Sequence, residues 1–194
     1  QRRAFAYVLA HELAHQWWAH QSPGGFAQGA TILTEGLAEY SALVLMERKY
    51  GREAAQKFLR QELDGYLRGR GRERKKEVPF LYVENQPYIH YQKGALVYYA
   101  LRDYLGEGAF HGAVRAYVEK WAFKGPPYAT SRDLLAEIRA VTPDSLQTVL
   151  TDLFETITLF DNRVLSASVA AKDGKHVVTL ELGARKLRAD GLGV

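Results

Sequence analysis

The sequence predicts a mainly α-helical domain that ends in a short β-hairpin. Apolar residues recur at helical spacing through about residue 157, with breaker-rich stretches between the helical segments. Further on, the pattern changes to the alternating period of strands, on both sides of the turn signal Lys172-Asp173-Gly174-Lys175. We therefore expect a helical body followed by the start of a β-rich module.

The composition is that of a globular chain. Its 194 residues suit one compact domain or slightly more, and a 47% hydrophobic content can build a core. Cysteine is absent, so a zinc site here must use histidine and carboxylate. No apolar run reaches the roughly 18–20 residues that span a bilayer, and no signal-peptide pattern is present. We expect a soluble fragment of a longer protein, because Gln1 precedes the main motif by only ten residues.

The net charge of +4 is concentrated in residues 68–76, RGRGRERKK, which hold six cations and one Glu. Such a charge run is typical of a solvated, mobile loop. It lacks the interleaved aromatic residues of a single-strand binding surface, so no nucleic-acid partner is predicted. Contact of this basic run with an anionic membrane surface remains an alternative if the complete protein is attached to a membrane.

The first predicted helix covers residues 2–20, and its predicted buried side consists of Phe5, Val8, Leu9, Leu13 and Trp17. Residues 21–29 are rich in Gly and Pro and are predicted to form a loop. The second helix covers residues 33–50, with Thr34 as its N-cap.

A third, amphipathic helix follows at residues 52–68. Prolines then exclude a continuous helix, and residues 78–83 are predicted to be extended. Thr130 with Asp133 resembles a helix N-cap with an acidic third residue. The remaining predicted helices cover residues 91–105, 107–123, 131–140 and 143–157.

The motif that carries chemistry is HELAHQWW, residues 11–18, on the first predicted helix. Its histidines, His11 and His15, lie four residues apart and therefore share one helix face about one turn apart. Both imidazoles can reach one Zn²⁺, and Glu12 beside the first histidine can take the proton of an attacking water. Two ordinary helix histidines are the competing interpretation.

A catalytic zinc ion takes three protein ligands, so one more is required. Glu35, which opens the second predicted helix, is the candidate. Glu39 lies four residues later on the same face, where it is either a partner of a ligand histidine or a solvated carboxylate. The histidines without a partner at ligand spacing are predicted to lie at the surface or to be hydrogen-bonded: His90, His111 and His176.

Three segments occur in the order HELAHQWW, TEGLAEY and HYQKGALVYYALRDYLG. Together they resemble the signature of the membrane alanyl aminopeptidase family, gluzincins with a thermolysin-like catalytic domain. The resemblance covers most of residues 1–160 and implies hydrolysis of peptide substrates with one Zn²⁺ per chain. It implies that His11, His15 and Glu35 are zinc ligands, that Glu12 is the general base and that Tyr91 donates to the oxyanion.

The sequence departs from the family pattern at two places. Nineteen residues rather than eighteen separate His15 from Glu35, and Thr34 replaces the family's Asn. One extra loop residue changes the closure entropy little, so Glu35 stays the predicted ligand. The family's Gly-x-Met-x-Asn segment, which binds the substrate α-amine, lies upstream of the zinc motif and outside these 194 residues. Exopeptidase and endopeptidase activity therefore both stay open.

The downstream segments are most similar to the bacterial branch in which this peptidase domain is fused to transporter-permease membrane segments. The parent is therefore expected to be membrane-associated through segments outside this chain. We divide the chain into residues 1–160, a zinc-peptidase helical domain without its upstream part, and residues 161–194, the start of a β-rich module. The alternative functions are an idle peptidase fold that binds or senses for a transporter, and hydrolysis of a non-peptide substrate such as an epoxide. Intact Glu12 and Tyr91 favour the peptidase.

Overall fold

The computed structural model describes residues 2–189. Within that range the α-helices are α1 Arg2–Ala14, α2 Leu37–Tyr50, α3 Arg52–Arg72, α4 Gly94–Leu105, α5 Glu107–Trp121, α6 Ser131–Val141 and α7 Gln147–Phe154. Two antiparallel strands follow, β1 Ile157–Lys172 and β2 Lys175–Ala189. The predicted fold class, mainly α with a C-terminal hairpin, is confirmed. None of the helices in this described range combines the length and apolarity needed to cross a bilayer.

Two π-helical segments lead directly into longer helices. The first π segment, Ile32–Gly36, runs into α2, and the second π segment, Tyr88–Lys93, runs into α4. Segments of π-helix are rare in proteins as a whole, and those that occur are often found at functional sites. Shorter 3₁₀ turns occupy Phe80–Tyr82 and Asp144–Leu146. The extended segment predicted for residues 78–83 therefore contains a turn, and Thr34 lies inside the first π segment instead of capping a helix.

An aromatic cluster forms the centre of the helical body. Phe80 packs edge to face on Tyr98 and Phe154, with ring centroids 5.6 and 5.3 Å apart. All three side chains are fully buried. The Tyr98 hydroxyl donates a hydrogen bond of 3.0 Å to the carbonyl oxygen of Ile32. The core therefore fixes the start of the first π segment.

Helix α1 is shorter than predicted and buries the face opposite to the predicted one. It ends at Ala14 instead of residue 20, and its buried residues are Tyr7, Ala10, His11 and Ala14. The side chains that were predicted to be buried are 48–72% exposed: Phe5, Val8, Leu9, Leu13 and Trp17. The prediction was wrong because it ranked faces by apolarity, whereas burial depends on which face contacts a neighbour. Here α2 packs on the histidine face.

Helix α3 is longer than predicted and includes half of the basic run. It continues to Arg72, and Arg70 places its Nε 2.6 Å from Glu77 Oε2. The prediction that this whole run is a solvated loop is therefore wrong for the part that belongs to α3. The capping signal before α6 is confirmed, because the Thr130 backbone N–H donates to Asp133 Oδ2 at 2.8 Å. Helix α5 ends at Trp121, two residues before its predicted end.

The hairpin extends away from the helical body and is attached at its base. Its turn has left-handed backbone at Asp173 (φ 51°) and Gly174 (φ 72°), as the turn signal predicted. Most side chains of both strands are exposed. At the base, Asp152 of α7 accepts hydrogen bonds from Lys186 and, at 2.5 Å, from Arg188 Nε. The division into residues 1–160 and 161–194 stays a prediction, and residues 190–194 lie outside the described range.

Candidate metal centre

His11 lies in the last turn of α1, His15 directly follows its last residue, Ala14, and a polar group lies behind each ring. His15 Nδ1 lies 3.1 Å from the carbonyl oxygen of Trp18, so this nitrogen carries the proton and Nε2 keeps its lone pair. His11 Nδ1 is buried and lies 3.3 Å from Glu39 Oε1 without forming a directed hydrogen bond among the described residues, and Nε2 of this ring faces Glu35 Oε2. The two rings meet edge to face with centroids 4.8 Å apart.

Glu35 lies in the first π segment, and its carboxylate faces both rings. Its Oε2 atom is 3.3 Å from His11 Nε2 and 3.3 Å from His15 Nε2. The ligand atoms of the three residues all lie within 4.8 Å of one another. The structure thus brings together the three predicted ligands, and the extra loop residue before Glu35 does not displace it.

The separations of these atoms suit a zinc ion. Bonds of about 2.0–2.2 Å at tetrahedral angles hold zinc ligand atoms roughly 3.3–3.5 Å apart. Both distances from Glu35 Oε2 to the imidazole nitrogens agree with this geometry. Two imidazoles and one carboxylate are also the donor set of catalytic sites that leave one position for water. The residues present therefore fit zinc.

Carboxylates surround the histidines and determine the charge of the centre. Burial lowers the pKa of His11, but the adjacent carboxylates of Glu35 and Glu39 outweigh burial and raise this pKa to about 9. The hydrogen bond with His11 in turn lowers the pKa of Glu35. With neutral histidines the centre carries excess negative charge, which attracts either protons or a divalent cation.

Glu12 and Tyr91 are the remaining predicted site residues. Glu12 lies on α1 between the two histidines and is exposed to solvent. Tyr91 lies in the second π segment, and its ring centroid is 5.9 Å from that of His11. Burial raises the pKa of Tyr91 to about 12, and the charge of Glu35 adds to the rise. The Tyr91 hydroxyl therefore keeps its proton at neutral pH and is available as a hydrogen-bond donor.

Glycines allow the two π segments to touch: Gly36 ends the first segment, and Gly94 directly follows the second. A Cβ atom on Gly36 would lie 3.2 Å from the carbonyl oxygen of His90, and one on Gly94 would lie 3.1 Å from Gly36 Cα. Glycine at both positions permits this approach of one backbone to the other. Because Glu35 precedes Gly36 and Tyr91 follows His90, this contact sets the distance between the carboxylate and the phenol.

The sequence did not predict the role of Tyr7, which lies behind Glu39, the predicted partner of His11. Tyr7 donates a hydrogen bond to Glu39, and its ring stacks on Phe58 with centroids 4.7 Å apart. The Glu39 side chain is only 13% exposed, which favours the interpretation of Glu39 as a partner of His11 over a solvated carboxylate. The available signal was the spacing, because Tyr7 lies four residues before His11 and shares its face.

The other histidines do not join the centre. His90 is buried beside Tyr91, with ring centroids 4.6 Å apart, and burial lowers its pKa. Its Nδ1 is buried and has no hydrogen-bond partner among the described residues. The prediction that His90 is either exposed or hydrogen-bonded is therefore wrong for this nitrogen. His111 Nε2 lies 2.6 Å from the Tyr40 hydroxyl, which confirms the prediction there. His176 is exposed on the hairpin.

A helical domain in which a His-Glu-x-x-His helix and a glutamate of the next helical segment converge is typical of the class of zinc metallopeptidases. Comparison of the sequence with known families agrees with this class. The peptidase family M1 domain matches residues 1–155. The chain belongs to the peptidase M1 family.

Individual relatives and solved structures agree with the family. The chain is 30% identical over 123 residues to putative aminopeptidase-2 of Caenorhabditis elegans, a match that covers 62% of this chain and 6% of that protein. It is 27% identical over 164 residues to aminopeptidase M1-A of Oryza sativa subsp. japonica, which covers 77% of this chain and 17% of that protein. An M1 zinc metallopeptidase structure from Deinococcus radiodurans matches with a TM-score of 0.57 and 25% identity, over 76% of this chain and 32% of that one.

A variant of the Deinococcus radiodurans enzyme bound to a Tyr-Ser-Ala substrate matches with a TM-score of 0.58 at 22% identity, over 76% of this chain and 32% of that chain. At that identity the match supports the fold alone. The chain thus spans 6% and 17% of the two curated relatives and about a third of these solved structures.

Proposed function

We propose that this chain carries the catalytic centre of a zinc-dependent aminopeptidase. The observation that carries the proposal is the convergence of His11, His15 and Glu35 at separations that suit zinc, with Glu12 and Tyr91 beside them. Membership of the M1 family and the names of the aminopeptidase relatives support the same activity. The choice of an aminopeptidase over an endopeptidase rests on those names.

The side chains have separate roles in this proposal. When bound, zinc supplies a Lewis acid for the scissile carbonyl and lowers the pKa of a bound water. Glu12 accepts the proton of the attacking water and passes it to the leaving amine. Tyr91 donates its hydroxyl hydrogen to the oxygen that becomes negatively charged in the transition state. Glu39 holds His11 from the Nδ1 side, which keeps Nε2 directed at the ion.

The test uses the complete protein that contains this chain. Metal analysis is expected to find one zinc per chain, and a free aminoacyl anilide is expected to be hydrolysed faster than its N-acetylated form. Glu12→Gln is expected to keep the zinc and to lower kcat by about 10²- to 10⁴-fold, because it removes the proton acceptor. Glu53→Gln, an exposed carboxylate at the start of α3, is the control and is expected to match the wild type.

Three results would contradict the proposal in whole or in part. Retention of both zinc and turnover in Glu12→Gln would show that Glu12 is not the base. Tight peptide binding without turnover in the wild-type protein would instead support the idle binding domain. Preference for the N-acetylated substrate would change the class to endopeptidase and leave the zinc chemistry in place.

The proposal extends to the arrangement of the complete protein. Residues 1–160 form its catalytic helical domain, residues 161–194 begin a β-rich module, and segments outside this chain attach it to a membrane. The similarity to the transporter-fused branch supports the attachment, and the change from helices to an exposed hairpin supports the division. Extraction of membranes at alkaline pH is expected to leave the complete protein in the pellet. Its release into the supernatant would contradict membrane anchoring.

A further inference from the structure

Glu77 is a buried carboxylate with three side chains donating to it. Its side chain is 4% exposed, and Lys93 Nζ lies 2.7 Å from Oε1. The Tyr66 hydroxyl lies 2.9 and 3.1 Å from the two oxygens, and Arg70 Nε lies 2.6 Å from Oε2. One anion thus compensates two cations, of which Lys93 is itself nearly buried, with its side chain 11% exposed.

The donors come from two different elements. Tyr66 and Arg70 lie one turn apart on α3, whereas Lys93 is the last residue of the second π segment. Lys93 also lies over the ring of Tyr66, with Nζ 5.5 Å from the ring centroid. Glu77 therefore ties α3 to the segment that carries Tyr91, two residues before Lys93.

The same two elements are in close contact along their length. A Cβ atom on Gly69 would lie 2.4 Å from Tyr88 Cβ, and one on Gly65 would lie 2.9 Å from Gln92 Cγ. The glycines of α3 thus bring this helix against the first and fifth residues of the second π segment. On its other side the segment touches Gly36, next to Glu35. The Tyr91 segment is held between α3 and the first π segment.

We propose that Glu77 is a positioning residue for Tyr91, which through Lys93 holds the second π segment in the register that places the Tyr91 hydroxyl at the oxyanion. The inference rests on the role of Tyr91 in the proposed function. The polar contacts of Glu77 among the described residues are with Tyr66, Arg70 and Lys93, and none is with a predicted ligand. Its effect is on geometry: a donor that is misplaced by about 1 Å can reduce the rate by about a hundredfold.

Glu77→Gln removes the negative charge and leaves the buried Lys93 uncompensated. We expect kcat to fall about ten- to a hundredfold, with KM and zinc content unchanged, because Tyr91 acts in the transition state. The matched control is Glu47→Gln on α2. Glu47 also accepts from a tyrosine and an arginine, Tyr99 at 3.1 Å and Arg102, away from the second π segment. This control is expected to lower the melting temperature without changing kcat.

The decisive measurement repeats both substitutions in a Tyr91→Phe background. Once the hydroxyl is absent, Glu77→Gln is expected to lower kcat no further, because positioning is no longer required. An equal fall of kcat in both backgrounds, or a fall no larger than that of Glu47→Gln, overturns the inference and leaves the proposed function in place. An unchanged kcat in Tyr91→Phe alone overturns the role of Tyr91 and the inference with it.

A milder pair of variants covers the case in which Glu77→Gln does not fold. Tyr66→Phe removes one neutral donor and leaves the ion pairs intact, and Tyr99→Phe is its control with nearly equal burial, 6% against 8% exposed. We expect a fall of kcat on the order of threefold for Tyr66→Phe, absent in the Tyr91→Phe background. Equal kcat values for Tyr66→Phe, Tyr99→Phe and the wild type overturn the inference.

Discussion

Replacing Glu39 with Gln should weaken zinc binding although Glu39 is not one of the proposed ligands. Glu39 lies 3.3 Å from His11 Nδ1, and the two side chains are 13% and 9% exposed. Loss of such a partner typically lowers metal affinity 10- to 100-fold, or about 1.4–2.7 kcal/mol. Gln keeps an acceptor oxygen and loses only the charge, so we expect a value near the lower limit, about tenfold.

Competition against a chelator of known zinc affinity measures this change in the complete protein. The comparison belongs at a pH above about 9, because the carboxylates raise the pKa of His11 to about 9 and protons compete for the ring below that value. Glu39→Gln also removes part of the rise in the pKa of His11. A measurement at neutral pH would therefore combine two opposing effects on the apparent affinity, weaker zinc binding and weaker competition from protons.

Glu47→Gln is the matched control, since Glu47 lies on the same helix and pairs with Arg102 instead of a proposed ligand. Its zinc affinity should equal that of the wild type. Equal affinities for Glu39→Gln, Glu47→Gln and the wild type, together with loss of zinc in His11→Ala, would refute the reasoning. His11 would then bind zinc without help from the carboxylate behind it.

Two further predictions concern the hairpin and the contact between the π segments. Asp152→Asn should detach the hairpin base, seen as faster amide exchange in β2 and β1 with unchanged zinc content. Arg188 lowers the pKa of Asp152 from its usual 3.8, so the anchor contributes fully above about pH 4 and is lost as the pH falls through the lowered value. The protection factors of these amides, the ratios of the intrinsic to the observed exchange rate at the same pH, should therefore fall in acid in the wild type. An equal fall in Asp152→Asn would contradict this assignment. Gly36→Ala should lower the melting temperature by roughly 2–10 °C and weaken zinc binding, because its Cβ would lie 3.2 Å from the His90 carbonyl oxygen. Gly112→Ala on α5 meets nothing within 4 Å and should be neutral or stabilising, and equal melting temperatures for the two variants would exclude a tight contact at Gly36.

The elements predicted well from sequence are those with local signals. The start of α6 follows from Thr130 and Asp133, which satisfy each other's backbone and side-chain groups within one turn. The hairpin turn at Asp173 and Gly174 follows from residues that tolerate a positive φ. Each of these signals is complete within a few residues, so the rest of the chain is not needed to interpret it.

The buried face of α1 could not be predicted in this way. The face with Phe5, Leu9 and Leu13 is the more apolar, yet α2 packs on the face that carries Tyr7 and His11. A periodicity argument assumes that the most apolar face is the packed one. On α1 the packed face instead carries His11 and Tyr7, which donates a hydrogen bond to the Glu39 carboxylate behind His11.

The sequence alone predicted the donor set of the centre. His11, His15 and Glu35 are the residue types that bind zinc, and their spacing on helical segments limits where the three can meet. The tertiary structure decided what supports them. Glu39 behind His11, Gly36 against the second π segment and Glu77 beneath Lys93 depend on contacts between residues from different elements. Such contacts leave no periodic signal, because the chain folds back on itself before the partners meet.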